Sequence, residues 1–312
     1  MTQRTRRGLL WLQSLVLILT LTNCSAPPAA SPAAEASPNA EEETPLREKV
    51  KVRMPEAGDT EVAENDEVRI DTSHKADGYV MLTCITGRDK RVKAQIKCGD
   101  KVYNYDLNHE GRSETFPLQC GDGSYAISVL ENIVDNRYTP LLTAEVEVVL
   151  SSAYAPFLVP NQMVDYTPDS QAVLEGQALT ADARSDLDVV HDVFQYIVNN
   201  IDYDDAKAET VQTRKDYLPS VDDTLEERKG ICYDYASLFA AMLRSQGIPT
   251  KLVTGYVEPL DVYHAWNLVY IKDVGWVEMK IYFDGENWQL VDTTFAASNT
   301  DGDLQYETVY EY

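Results

Sequence analysis

The sequence is poor in positive charge. Its 312 residues include 27 lysines and arginines against 51 aspartates and glutamates, which gives a net charge of −24 at neutral pH. This excess of acidic groups argues against nucleic acid as a partner and against electrostatic adhesion to an anionic membrane surface. It favours cationic partners or simple solubility.

The sequence also has few residues of the types that bind metals and cofactors. Four histidines and five cysteines are present, and none of them shows zinc-ligand spacing. A glycine-rich phosphate loop and other cofactor motifs are missing. We therefore expect no cofactor and no metal, and we interpret the acidic pair Asp222-Asp223 as solvated surface rather than as a calcium site.

Long apolar runs are missing outside the first residues. Arg4, Arg6 and Arg7 precede a mostly apolar stretch from Leu9 to Leu21, which is short for a membrane span. The following Leu21-Thr22-Asn23-Cys24 resembles a bacterial lipobox. The resemblance implies that residues 1–23 are a lipoprotein signal peptide, that Cys24 carries the lipid, and that the protein is anchored to the bacterial cell membrane outside the cytoplasm. An uncleaved anchor is the alternative, and removal of residues 1–23 would take the net charge to −27.

Composition divides the rest of the chain into four parts. Residues 24–63 are rich in Pro, Ala, Ser and Glu and are predicted to be a disordered tether. Residues 64–150 contain short alternating runs separated by turns, which predicts an all-β, sandwich-like module that acts as a spacer or a binding module. Residues 151–170 contain Pro156, Pro160 and Pro168 and are predicted to be a linker. Residues 171–312 mix helical and strand patterns, which predicts an α+β domain with helices packed on one antiparallel sheet.

Three cysteines fall in the β module. Cys84, Cys98 and Cys120 can form at most one internal disulfide, which leaves one thiol free, or all three can be buried and reduced. Spacing does not choose between these arrangements.

The most informative stretch of the chain begins at Gly230-Ile231-Cys232. Ala236, Phe239 and Leu243 follow at helical spacing, and Gly247 then stops the helix. Cys232 therefore begins a core-facing helix, where the positive end of the dipole is expected to lower its thiol pKa. From this position alone, Cys232 can equally be a nucleophile or a small buried hydrophobe.

Two later segments favour the nucleophile. His264 opens the strand-like run Tyr263–Ile271, and Asp292 ends the short run Trp288–Asp292. A cysteine nucleophile needs a base, and the base needs a third group that orients it and stabilises the imidazolium. Cysteine, histidine and aspartate in this order supply all three groups.

Together these segments resemble a known family. Gly230-Ile231-Cys232, His264-Ala265-Trp266-Asn267 and Trp288…Asp292-Thr293-Thr294-Phe295 are similar to the three motifs of the transglutaminase-like superfamily, and the similarity covers roughly residues 175–297. The resemblance implies a papain-like core with Cys232 as nucleophile, His264 as general base and acid, and Asp292 as the orienting carboxylate. Many members have Asp-Pro-Thr where this chain has Asp292-Thr293-Thr294.

The resemblance predicts an extracytoplasmic acyl transferase or hydrolase. The enzyme would act on carboxamide or peptide bonds of proteins or peptides at the cell surface, through a Cys-His-Asp triad and a thioester. A cysteine peptidase of cell-wall or extracellular peptides is one alternative. A non-catalytic binding lipoprotein that uses the fold as a scaffold is another.

Overall fold

The computed structural model describes residues 45–211, 214, 216–258, 262–283, 288–292 and 305–312. The helices are α1 (Gln171–Leu179), α2 (Asp186–Asn200), α3 (Asp205–Val211), α4 (Val221–Glu227) and α5 (Cys232–Arg244), with short 3-10 turns at Lys75–Asp77 and Ala155–Phe157. The strands are β1 (Val62–Glu64), β2 (Val68–Asp71), β3 (Tyr79–Cys84), β4 (Val92–Cys98), β5 (Lys101–Leu107), β6 (Glu114–Pro117), β7 (Gly123–Val134), β8 (Arg137–Val148), β9 (Asp202–Tyr203), β10 (Lys229–Gly230), β11 (Thr250–Glu258), β12 (Val262–Ile271), β13 (Gly275–Phe283), β14 (Trp288–Asp292) and β15 (Gln305–Glu311).

The first half of the described chain is all-β, as predicted. One antiparallel sheet has the order β1-β2-β3-β6 and the other has the order β5-β4-β7-β8. Strand residues alternate between buried and partly exposed, as in β4, where Val92, Ala94 and Ile96 point inward. The inward side chains of both sheets belong to one hydrophobic core.

A disulfide links the two cysteines that end β4 and precede β7. Cys98 pairs with Cys120 across a Cα–Cα distance of 6.3 Å, while Cys84 is a free thiol buried in the core. The sequence left this pairing open, because only the fold brings residues 98 and 120 together.

Two segments predicted to be linkers are packed against the folded unit. Of the predicted tether, residues 45–61 are irregular but held, because the Arg47 Nε donates to Asp186 at 2.6 Å and its guanidinium also reaches the Gln246 carbonyl at 2.8 Å. Of the predicted linker, Phe157, Val164 and Tyr166 are buried. Apolar side chains among the prolines account for this packing. Residues 1–44, with Cys24 and the predicted signal peptide, lie outside the described residues.

The helices α1 to α5 precede the five-stranded sheet of β11 to β15 along the chain. At the start of α2, Ser185 Oγ accepts the Asp188 amide at 3.1 Å, and the Asp188 carboxylate accepts the Ser185 amide at 2.9 Å. This reciprocal pair is a capping box, which stabilises the start of the helix. The polar stretch between α2 and α4 contains the short helix α3. Helix α3 has no buried residue and therefore no apolar stripe to reveal it.

The five-stranded sheet carries the C-terminal part of the described chain. Its order is β14-β13-β12-β11-β15, with every neighbouring pair antiparallel. Helix α5 packs on β11 and β12, and Asn267 Nδ2 fixes this packing by donating to the Ala236 carbonyl at 3.0 Å. The predicted α+β class is therefore confirmed. Strand β15, whose position the sequence did not reveal, pairs with β11.

A search of the described residues for a helix long and apolar enough to cross a membrane finds none.

Candidate active site

Helix α5 places Cys232 at the start of a core helix, as predicted. The apolar stripe is buried throughout, and Gly247 follows the helix in a left-handed conformation with φ of 78°. Gly230, two residues before Cys232, leaves room for the helix start. A Cβ at this position would lie 2.7 Å from the Asp234 Cβ. Glycine is therefore needed here for space.

Three backbone N–H groups face the Cys232 thiol. Those of Cys232 and Tyr233 belong to the open start of α5, and that of Ala265 belongs to β12. Residue 265 lies before the part of β12 that pairs with β13, which begins at Asn267. The thiol therefore contacts β12 at the residue that directly follows His264.

The expectation of a lowered thiol pKa was wrong. The pKa of Cys232 is raised to about 11, chiefly by burial and to a lesser degree by the nearby Asp234 carboxylate. The three N–H groups act in the opposite direction but do not outweigh the loss of solvation. Cys232 is therefore a neutral thiol near neutral pH, and attack by its sulfur would need a base.

His264 lies on β12 among aromatic rings. Its imidazole stacks with the Trp266 indole at a centroid distance of 6.3 Å and an interplanar angle of 15°, and the Tyr306 ring lies 6.4 Å away. Trp266 is only 1% exposed, so its indole cannot line an open cleft. The aromatic side chains that remain accessible beside His264 are Tyr263 and Tyr256, which are 48% and 40% exposed.

Asp292 is described only by its backbone. It ends β14 and pairs with Met279 of β13, which in turn pairs with Asn267 of β12. One strand therefore separates Asp292 from the strand that carries His264. The position of its carboxylate lies outside what the structure describes, so its orienting role stays a prediction.

A buried carboxylate that was not predicted from the sequence, that of Asp234, lies close to the Cys232 thiol. Asp234 lies on the first turn of α5 with a fully buried side chain. Lys207 Nζ lies 2.7 Å from its Oδ2, the Ile231 amide donates to the same oxygen at 2.9 Å, and the Tyr217 hydroxyl donates to Oδ1. An aspartate three residues after the N-cap is a capping signal that sequence alone offers. Its partners on α3 and before α4 are visible only in the fold.

The other candidate ligands have structural surroundings. His74 Nδ1 lies 2.8 Å from Asp77 at the surface, and His191 is exposed on α2. Asp222 accepts the Ala172 amide of α1 at 2.9 Å, so it serves as a cap. Groups of three or more His, Cys, Asp or Glu side chains suited to a metal ion are not found among the described residues.

A family model matches the segment that carries Cys232 and His264. Residues 176–281, about a third of the chain, match the model of the Transglutaminase-like superfamily. The match includes Cys232 and His264 and ends before Asp292. It favours a cysteine-dependent enzyme.

Individual relatives are more distant. Human Kyphoscoliosis peptidase is 29% identical over 133 residues, which cover 39% of this chain and 18% of the peptidase. A candidate cysteine protease from Cytophaga hutchinsonii overlaps 70% of this chain and 68% of its own, at 17% identity and a TM-score of 0.35. Red sea bream transglutaminase overlaps 65% of this chain and 47% of its own, at 13% identity and a TM-score of 0.26. This chain thus spans about a fifth of the human relative, and the two structural overlaps are too loose to carry a conclusion.

Proposed function

We propose that the protein is an acyl transferase or hydrolase that acts through a cysteine thioester. The observation that carries the proposal is the position of the Cys232 thiol, which lies at the open start of α5 and against the β12 residue next to His264. A purely structural thiol would not need the backbone N–H groups of the helix start aimed at its sulfur.

The first step forms a thioester. Cys232 Sγ attacks a carboxamide or peptide carbonyl carbon while the His264 imidazole takes the thiol proton. The carbonyl oxygen becomes negatively charged, and the backbone N–H groups of Cys232 and Tyr233 are suited to stabilise it. The C–N bond then breaks, and His264 returns the proton to the leaving ammonia or amine.

The second step releases the acyl group. Water attacks the thioester in hydrolysis, and a primary amine attacks it in transfer. His264 takes the proton of the attacking group in both cases and returns it to the Cys232 sulfur. We assign Asp292 to orient His264, as the resemblance implies. A peptidase differs only in the acceptor, because both reactions use the same thioester.

The location of the enzyme belongs to the same proposal. Lipidation of Cys24 would hold the protein at the outer side of the bacterial cell membrane, with protein or peptide substrates at the cell surface. The Cys98–Cys120 disulfide supports this assignment, because disulfides persist in oxidising compartments.

The full chain should be tested with both acceptors. Incorporation of a fluorescent primary amine into dimethylcasein reports transfer, ammonia release reports hydrolysis of carboxamides, and mass spectrometry reports peptide cleavage. Cys232→Ala should abolish each activity that the wild type shows, and His264→Ala should lower it at least a hundredfold. His191→Ala is the matched control, because His191 is exposed on α2, and it should retain full activity. Activity that survives in Cys232→Ala would refute the proposal.

A further inference from the structure

The Asp234 carboxylate is surrounded by donors from three segments. Lys207 comes from α3, Tyr217 from the stretch before α4, and the Ile231 amide from the residue before Cys232. Lys207 Nζ also lies 5.1 Å from the centre of the Tyr217 ring. Since the Asp234 side chain is fully buried, its charge would be costly without these partners.

The start of α5 has only half of a capping box. The N-cap is Ile231, whose side chain cannot accept a hydrogen bond, so the backbone amides of the first turn are left uncapped. Asp234 supplies the other half by accepting the Ile231 amide. The backbone on one side of Cys232 is therefore fixed, while the N–H groups of Cys232 and Tyr233 stay open toward the thiol.

The same carboxylate has an electrostatic cost for the nucleophile. A negative charge two residues from Cys232 disfavours the thiolate, and Asp234 acts on the thiol in this direction. Tyr203 of β9, Tyr233 of α5 and Tyr263 of β12 lie close enough for the charge of a Cys232 thiolate to raise the pKa of their phenols. Within this described set Lys207 supplies the positive charge, at 2.7 Å from the carboxylate.

We propose that Asp234 is a positioning residue that fixes the start of α5 for attack by Cys232, and that Lys207 is its countercharge. The positioning part rests on the proposed function. The countercharge part concerns the reactivity of the thiol and does not require turnover.

Three variants separate the two parts. Lys207→Met leaves the carboxylate uncompensated, so the alkylation rate of Cys232 at pH 9 should fall about tenfold, which is one pKa unit for a nearby charge. Asp234→Asn removes the charge, so this rate should rise about tenfold, while kcat falls about tenfold and KM changes little. The double variant should restore the alkylation rate but not kcat. Two alkylating reagents of different size should show the same change in rate between variant and wild type. Ionisation of the thiol affects both reagents equally, whereas a change in access would affect the larger reagent more.

A matched control is available in the five-stranded sheet. Lys251 and Glu311 form a partly buried ion pair at 3.1 Å between β11 and β15. Lys251→Met should leave the alkylation rate of Cys232 unchanged. An equal change in this control, or an unchanged rate in Lys207→Met, would overturn the countercharge.

The positioning role is overturned if Asp234→Asn keeps the wild-type kcat. If Asp234→Asn does not fold, Tyr217→Phe takes its place, because it removes one hydrogen bond to the carboxylate and keeps the charge. It should lower kcat about threefold without changing KM, and an unchanged kcat would be equally decisive against the role. If the wild type has no turnover, the proposed function fails, and the alkylation rates still decide the countercharge.

Discussion

The pH dependence of Cys232 alkylation tests whether the thiol pKa is raised by its surroundings. Burial takes the thiol pKa from 9.0 to about 11, a difference of about two units or roughly 2.7 kcal/mol. At pH 8 the thiolate fraction is then about one in a thousand, against about one in ten for the ordinary thiol. Cys232 should therefore react about a hundredfold more slowly than the cysteine of a short peptide with the same local sequence.

The assay is iodoacetamide alkylation followed by peptide-resolved mass spectrometry, which separates Cys232 from the buried Cys84. The logarithm of the rate should rise with unit slope from pH 7 to pH 10, with no plateau. Limited access also slows alkylation, but it does not change this slope. Circular dichroism at each pH verifies that the protein stays folded.

His264→Ala should not change this profile. A thiol with a pKa near 11 stays neutral over the pH range in which an ordinary imidazole carries its charge, so we expect no thiolate–imidazolium pair at rest. The same variant should nevertheless lose turnover, because in the proposed mechanism His264 takes the proton during attack. A plateau below pH 8.5 that disappears in His264→Ala would refute the reasoning and establish a thiolate–imidazolium pair.

Three further predictions concern stability and are measured by urea denaturation. Arg244→Met should lower the free energy of unfolding by about 3 kcal/mol or more. The buried guanidinium donates to the carbonyls of three separate segments, and each carbonyl left unpaired costs about 1–3 kcal/mol. A loss below about 1 kcal/mol, like that expected for Arg137→Met at the exposed Arg137, would contradict this. Gly230→Ala should cost about 1–3 kcal/mol, because its Cβ would overlap Asp234, and unchanged stability would show that the helix start yields freely. Ser185→Ala should lower the free energy of unfolding by about 1 kcal/mol, because α2 loses its N-cap hydrogen bond. Ser185→Asp should keep most of the wild-type stability, because aspartate also caps a helix.

Much of the fold could be predicted because its signals are local. Short alternating runs predicted the strands of the β module, and the apolar stripe ending at Gly247 predicted α5. Helix α1 was missed, because its exposed Leu174 breaks the stripe. The order of cysteine and histidine predicted a cysteine-dependent enzyme, a general class that the family match of residues 176–281 supports.

The sequence by itself determined which residue types stand at the helix start and on the neighbouring strand. Only the tertiary structure decided how they behave. The dipole argument for Cys232 is local and predicted a lowered pKa, whereas burial under β12 raises it. The partners of Asp234 lie 17 and 27 residues away along the chain. Solvation and charge depend on everything that surrounds a group, and chain folding sets those surroundings over distances that no local pattern records.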